Sequence, residues 1–497
     1  AAGAVHALDM LKARGEVLDG IAAEDGGKAW LHKEVFRRIR ARSLAKVRAE
    51  TKPVGLSEYQ TFLIGLQGVG PVGGERYDGE DGVMRVIEQL EGVALPPSVW
   101  ESSVLPARVR DYRPAMLDGL LSSGEIVWVG SKTTGSKAKE PGLVALHPAD
   151  SLLLTVQDGE KNGGAPGEPV TLPDAVMAVL APGGAYHANQ LAGLTRTAWD
   201  ASSECVDEST GEILPHPWSD SQFEEALWSL VWQGKVTNSS FDPLRSLGAS
   251  SHAVKAPARA SRRRVRVRVS VPANMTGLWS AVPHADMQEA SAERVAIARV
   301  EALLDRYGVI APPMIDKERL DGGFSGLYPV LRRMEEHGAL MRGMFVSGCG
   351  AAQFASRQTV DALRACAAEP SAVVLDATDP ANLYGSVIAW PRTIGGFSIR
   401  PARRFGASVV LRGGRLLAYA VPRSHHLLLA QDADPALQQA CNELAYALQR
   451  NLRDGGIRGG VTFCDANDEP LTARGEWSRM LHVAGFVPVP QGMRLYC

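Results

Sequence analysis

The chain has 497 residues, of which 45% are hydrophobic and 22% charged, and its net charge is −2. That balance gives a foldable core throughout and room for roughly three to five domains. No apolar run reaches the ~20 residues of a membrane span, and no signal peptide opens the sequence. The six cysteines (Cys205, Cys349, Cys366, Cys441, Cys464 and Cys497) are scattered without a CxxC. This argues against a zinc site or a disulfide framework and fits a reducing, cytoplasmic compartment. The chain starts at Ala1 and enters helical text at once, as a piece of a longer polypeptide is expected to do.

From the N-terminus, Val5, Leu8 and Leu11 lead to Gly15, then EVLDGI, a glycine-rich tip and KAWLH. A helix, a glycine stop and a hairpin make the back half of a winged helix. KEVFRRIRARSLAKVRAE follows as a basic helix. In it Val35, Phe36 and Ile39 are expected to pack, and Arg37 and Arg38 to be solvated or to meet phosphates. The phrase then recurs. Leu117, Leu120 and Leu121 lead to Gly124, EIVWVG and GLVALH; Phe223, Leu227, Leu230 and Val231 lead to Gly234 and KVTNSS. Leu327, Val330, Leu331 and Met334 form a stripe at helical spacing that ends at Gly338, before short strands around Gly343. The four glycines are nearly evenly spaced, which indicates an array of related units rather than one enzyme core.

Between these copies, Pro114 starts a helix and Arg108, Arg110 and Arg113 precede it, placed to meet a phosphate backbone. Arg264, Arg266 and Arg268 alternate with valines, which predicts a strand with one packed and one positive face. An anionic partner or a solvated interdomain strand would each account for it. Arg332, Arg333 and Arg342 lie on the fourth helix and its wing. After residue 361 the text turns β-rich, and Gly413-Gly414 between two alternating runs signals a hairpin. Pro435–Arg450 reads as an amphipathic helix.

The predicted class is therefore α+β, with tandem winged-helix domains plus a C-terminal small β-barrel module. The expected boundaries are 1–50, 51–158, 168–250 and 286–360 for the winged helices, 251–285 for a basic linker or strand, and 361–497 for the β module. No P-loop, HExxH or GxSxG is present, and His425-His426 has no partnered carboxylate pattern, so no metal site is expected.

Five long strings, in order, resemble the C-terminal half of the bacterial large helicase-related (Lhr) proteins. They are LPARVRDYRPAMLDGLLSSGEIVWVG, LWSLVWQGKVTN, GGFSGLYPVLRRMEEHGALMRGMFVSGCGAAQFA, DATDPANLYGSVIAWP and GFVPVPQGMRLY. The resemblance implies a superfamily 2 helicase core upstream that moves 3′ to 5′ on single-stranded DNA in repair and would hold ATP and magnesium. It implies no cofactor in these residues. It also implies DNA with single-stranded character, the chain's own helicase core and further copies (a homotetramer) as partners, no membrane, and a nucleoid-associated location. That region is further similar to tandem winged-helix DNA glycosylases, and some family members are reported to remove uracil. Their Gln-apolar-Gln or Gln-apolar-Asp motif after Gly-Leu is matched by Gly65-Leu66-Gln67-Gly68-Val69, with Val69 where the second polar residue stands. On that resemblance Gln67 is a candidate catalytic residue, and a carboxylate such as Asp376 or Asp379 is chemically suited to activating water for N-glycosidic cleavage. An aspartate before Pro380 also simply starts a turn.

Replacing Arg264, Arg266 and Arg268 by Ala is expected to flatten the salt dependence of DNA binding. An unchanged slope in an anisotropy titration would count against this strand as a contact.

Overall fold

The computed structural model describes residues 2–22, 28–36, 38–39, 52–131, 141–154, 171–202, 205–206, 213–214, 218–250, 272–283, 291–318, 320, 322–366, 371–432, 435–453, 459–472 and 475–496. The chain divides into two compact units, Ala1–Leu56 with Val309–Ala365, and Ser57–Gly308 with Cys366–Cys497. None of its described helices is long and apolar enough to cross a membrane.

In the smaller unit the N-terminal helix Ala2–Ala13 is followed by an antiparallel hairpin, Val17–Ala22 with Lys28–His32. Val35 and Ile39, expected to pack, are instead 44% and 54% exposed. The same unit holds Val309–Ile310, the helices Pro312–Glu318 and Gly323–His337, and the strands Met341–Gly343 and Gln353–Ala355. Helix Gly323–His337 buries Leu327 and Leu331 and stops at Gly338, whose φ of 82° is left-handed. The strand opposite Met341–Gly343 is Gln353–Ala355, ten residues beyond Gly343 and so further along than the short strands expected around that glycine. The Gln353 side chain explains the longer wing. Its Oε1 accepts from the amides of Phe345 (2.9 Å) and Val346 (2.8 Å), and its Nε2 donates to the carbonyls of Val346 and Gly350, both at 2.7 Å. A fully buried amide group thus supplies the partners that a tighter hairpin would have found in its opposite strand.

In the larger unit the second winged helix comprises helix Gly79–Gln89, helix Pro97–Val99 running into a π-helical turn Trp100–Val104, and helix Pro114–Ser123. Its wing pairs Ile126–Ser131 with Leu143–Pro148. The third has helices Leu172–Leu180, Ala188–Ser202 and Asp220–Trp232. The first of these starts in a capping box between Thr171 and Asp174. Its sheet runs Val236–Asn238, Leu278–Ala281, Tyr186–His187. The returning strand Leu278–Ala281 therefore lies inside the stretch expected to be a linker, and the third module extends beyond residue 250. The second and third modules share one core, including Trp100, Trp128, Trp228 and Trp279. Helix Ala292–Tyr307 is tied to the second module through Arg85, whose guanidinium holds both carboxylate oxygens of Asp305 at 2.7 Å.

The β module contains a six-stranded sheet ordered Val373–Asp376, Ser408–Arg412, Arg415–Val421, His426–Leu429, Asp465–Ala466, Glu469–Pro470. A second sheet runs Val461–Phe463, Gly492–Leu495, Val487–Val489. Helix Leu437–Arg453 buries Leu437, Cys441, Leu444 and Leu448 in the core beneath. The strand order is open among the described residues, so the closed barrel expected from the sequence is not seen; alternation and turns determine strands and neighbours but not closure. The Gly413-Gly414 turn forms as expected, with both φ values positive (52° and 72°) and Arg412 opposite Arg415. A Cβ on Gly414 would also lie 1.9 Å from the carbonyl oxygen of Ser57.

Gln353→Leu leaves buried backbone groups of the fourth wing unpaired, at about 1–3 kcal/mol each. Hydrogen exchange at the Phe345 and Val346 amides is expected to speed up at least ~10-fold. Unchanged protection would show that the loop is held by something else.

Candidate nucleic-acid interface and its buried anchor

The helix that could enter a groove is the third of each winged helix, and the copies differ in what they present. Pro114–Ser123 buries Leu117, Leu120 and Leu121 and carries no Lys or Arg. Its Asp118 is held at 2.8 Å by Arg245, which also pairs with Glu101 and Asp242, each at 2.7 Å. The adjoining wing lies against the third module. A Cβ on Gly130 would sit 2.6 Å from the Val231 carbonyl oxygen, and one on Gly142 would sit 2.7 Å from the Trp232 ring. Thr237 Oγ1 donates to the Trp128 carbonyl at 2.8 Å across the same contact. Helix Asp220–Trp232, against which the wing packs, has Asp220, Glu224 and Glu225 as its charged residues. The second copy's wing and the third copy's third helix therefore pack on each other as part of one shared core.

The fourth copy is different. Along Gly323–His337, Arg332, Arg333, Glu336 and His337 are exposed. Arg332 reaches Glu336 one turn on at 3.2 Å, with both side chains more than 60% exposed (67% and 61%). Such a pair contributes little stability and yields readily to a phosphate. Half-buried Arg342, on the wing, lies 5.7 Å from the centroid of the Tyr328 ring, which packs with Phe324 and Phe354. That stacking aims a cation from wing toward helix.

The remaining expected contacts are scattered. Arg38 is exposed beyond the first wing. Arg110 is exposed and 3.5 Å from Asp78, and Arg113 is exposed at the residue capping Pro114–Ser123. Arg37, Arg264, Arg266 and Arg268 fall outside the described residues.

Arg108 needs correction. It is 0% exposed and cannot meet a phosphate. Its two terminal nitrogens hold the Asp379 carboxylate at 2.9 and 2.8 Å, and they also donate to the Val104 carbonyl (3.0 Å) and Gln67 Oε1 (2.9 Å). Its Nε has no hydrogen-bond partner. The candidates Gln67 and Asp379 thus do converge, but both are 0% exposed, and Val69 is in the core beside them. Gln67 Nε2 donates to the Arg306 carbonyl at 2.9 Å. Asp379 Oδ1 also accepts from the Ala381 amide at 2.8 Å, the hydrogen bond of an aspartate that starts a turn. A water or a base cannot reach either carboxylate oxygen in this arrangement.

Further residues grip the same turn. Gln60 donates to the Ala381 carbonyl at 2.6 Å and accepts from the Leu383 amide at 2.9 Å. Arg403 donates to the carbonyls of Thr378, Asp379, Asn382 and Tyr384. Asp376 accepts from Thr378 and from the Gly406 amide; burial pushes its carboxyl above the usual range, and these bonds pull it partly back. Sequence reading missed Gln60 and Arg403. The available signal was the density of short polar residues in DATDPAN directly after an apolar strand, which implies buried polar groups that need partners.

Winged-helix modules in series, one of them with two exposed arginines on its third helix, define a winged-helix DNA-handling region. Residues 54–149 and 289–374 each match a model described as large helicase-related protein, winged-helix domain. The chain belongs to that family. It is 38% identical over 93% of its length to the Lhr helicase/uracil glycosylase of Escherichia coli strain K12. It is 37% identical over 98% of its length to the Lhr helicase/probable uracil glycosylase of Mycolicibacterium smegmatis. It spans only 30% and 31% of the length of these two relatives. Among solved structures, Streptomyces sahachiroi DNA glycosylase AlkZ aligns with a TM-score of 0.47 and 14% identity, over 82% of this chain and 98% of that one.

Asp379→Ala strands a buried guanidinium and is expected to cost about 3–5 kcal/mol, whereas Arg108→Met with Asp379→Leu should recover most of it. Urea unfolding of the larger unit, followed by tryptophan fluorescence, reads both. Equal destabilisation of the single and double variants would mean that the pair is not the anchor.

Proposed function

We propose that this chain is the DNA-binding region of a DNA repair helicase, gripping DNA through its fourth winged helix while the second and third act as a scaffold. The carrying observation is the asymmetry among the copies. The second wing lies on the third module's helix, while Gly323–His337 keeps Arg332 and Arg333 at the surface and its wing lays Arg342 over the Tyr328 ring. Exposed arginines on a third helix, with a half-buried one on its wing, suit phosphate contact along a groove. Family membership supports a motor upstream, which would supply ATP hydrolysis and 3′ to 5′ movement; this region serves as its grip and, through further copies, as an assembly surface. Arg37, Arg38, Arg110, Arg113, Arg264, Arg266 and Arg268 are secondary contacts in this reading.

The second reading is base excision, favoured by the printed names of the two relatives, which pair helicase with uracil glycosylase. Gln67 and Asp379 could serve it only if the Arg108 pairing opened. Uracil excision by this region would then call for a site elsewhere, able to take a flipped base.

Arg332→Ala with Arg333→Ala should weaken duplex binding about uniformly across sequences and lower the salt slope by ~0.9 for each phosphate no longer neutralised. An anisotropy titration that gave the wild-type slope would remove this helix from the interface. Uracil-containing single-stranded DNA treated with the chain and then with alkali would be cut only if an abasic site had formed.

A further inference from the structure

The long loop of the β module, residues 391–406, reads PRTIGGFSIRPARRFG, with four arginines and no acidic residue. Its backbone is held at several points. Ser398 N donates to Asp468 Oδ2 at 2.7 Å, Tyr419 Oη donates to the Ala402 carbonyl at 3.0 Å, and Gly406 N donates to Asp376 Oδ2 at 2.8 Å. Arg403 is tied to carbonyls of the buried Asp379 turn. Between these anchors, Arg400 and Arg404 are exposed and Phe405 is 47% exposed. Arg404 Nη2 donates to the Arg400 carbonyl at 3.4 Å, which ties the Arg404 side chain back to the backbone of Arg400 within this five-residue stretch. The two carboxylates that touch the loop, Asp376 and Asp468, accept from its amides and from Ser398 Oγ. Among the described residues neither Arg400 nor Arg404 has a carboxylate at ion-pair distance.

We infer that Arg400, Arg404 and Phe405 form a second, single-strand-specific DNA contact, in which the guanidiniums take phosphates and the ring stacks on an unpaired base. Charge decides the partner's sign. The loop carries four arginines against the two carboxylates that touch it among the described residues, whereas Arg332 on the winged helix shares its surface with Glu336. The exposed ring decides between strands, because only an unpaired base offers it a face. A backbone fixed at residues 398, 402, 403 and 406 presents these groups without first being ordered, which keeps the entropy cost of binding low. This surface goes beyond the winged-helix grip and is independent of it, since it lies in a different part of the chain.

The test titrates the whole chain and its variants against labelled oligothymidylate and against a blunt duplex, over a range of salt. Arg400→Ala with Arg404→Ala should lower the single-strand salt slope by ~0.7 for each phosphate no longer neutralised. Phe405→Ala should weaken single-strand binding about tenfold without changing the slope. Both should leave duplex binding as it was, and Phe405→Leu should behave like the Ala variant if stacking rather than bulk is the interaction. All the changed side chains are exposed, so a far-ultraviolet circular dichroism spectrum like that of the wild type is expected. A wild-type single-strand slope in the double-arginine variant overturns the proposal, as does equal weakening on duplex. Duplex binding without single-strand binding by the unaltered chain overturns this proposal alone, single-strand binding without duplex binding sinks the winged-helix reading alone, and binding to neither sinks both.

Discussion

Arg108 and Asp379, a charge pair sealed from water, fix how the larger unit goes together. Removing both charges from water is costly, and their mutual attraction roughly restores what desolvation took away, so such a pair adds little net stability over a well-packed apolar one. Its value is register. The two terminal nitrogens of the guanidinium are satisfied only when the Trp100–Val104 turn, the end of helix Leu56–Leu66 and the Asp379 turn meet at one point, because they bond to Val104, Gln67 and Asp379 together. Any sliding of the β module against the second winged helix would leave a bare charge in the core. Gln67, in turn, reaches the Arg306 carbonyl and brings the end of helix Ala292–Tyr307 to the same place.

That constraint changes the meaning of the residues most suggestive of catalysis. A glutamine and a carboxylate side by side are chemically suited to activating water, yet here each is occupied by the same arginine and neither meets solvent. Side chains chosen for their chemical type turn out to serve as the joint between two modules. The exposed loop that ends at Gly406 is positioned by the same joint, since Arg403 binds the carbonyls of the Asp379 turn from the other side.

A similar reassignment runs through the winged helices. The fold offers a wing and a third helix whose shape suits a DNA groove, but that shape also suits another protein surface. The second copy's wing is packed on the third copy's third helix, with Gly130 and Gly142 clearing space for Val231 and Trp232. Basic side chains are absent from Pro114–Ser123, where a DNA-reading helix would need them, and Arg245 neutralises its single aspartate. The fourth copy keeps the charged face, so the array divides labour between scaffold and grip.

Much of this was legible in the sequence. Helical spacing ending at Gly124, Gly234 and Gly338 located three helices and their left-handed stops, and the two glycines at 413 and 414 located a hairpin, because periodicity and positive φ are local properties. The winged-helix class and the family strings followed from the same text. Three things were decided only by the tertiary structure: whether an arginine faces water or a carboxylate far along the chain, whether a sheet closes, and which strand completes a wing. Arg108 and Arg113 look alike in sequence, yet one is entirely buried and the other exposed, since the difference lies in Asp379, more than half the chain away. Burial and partnership depend on contacts between distant segments, and a single sequence records the residues but not which of them meet.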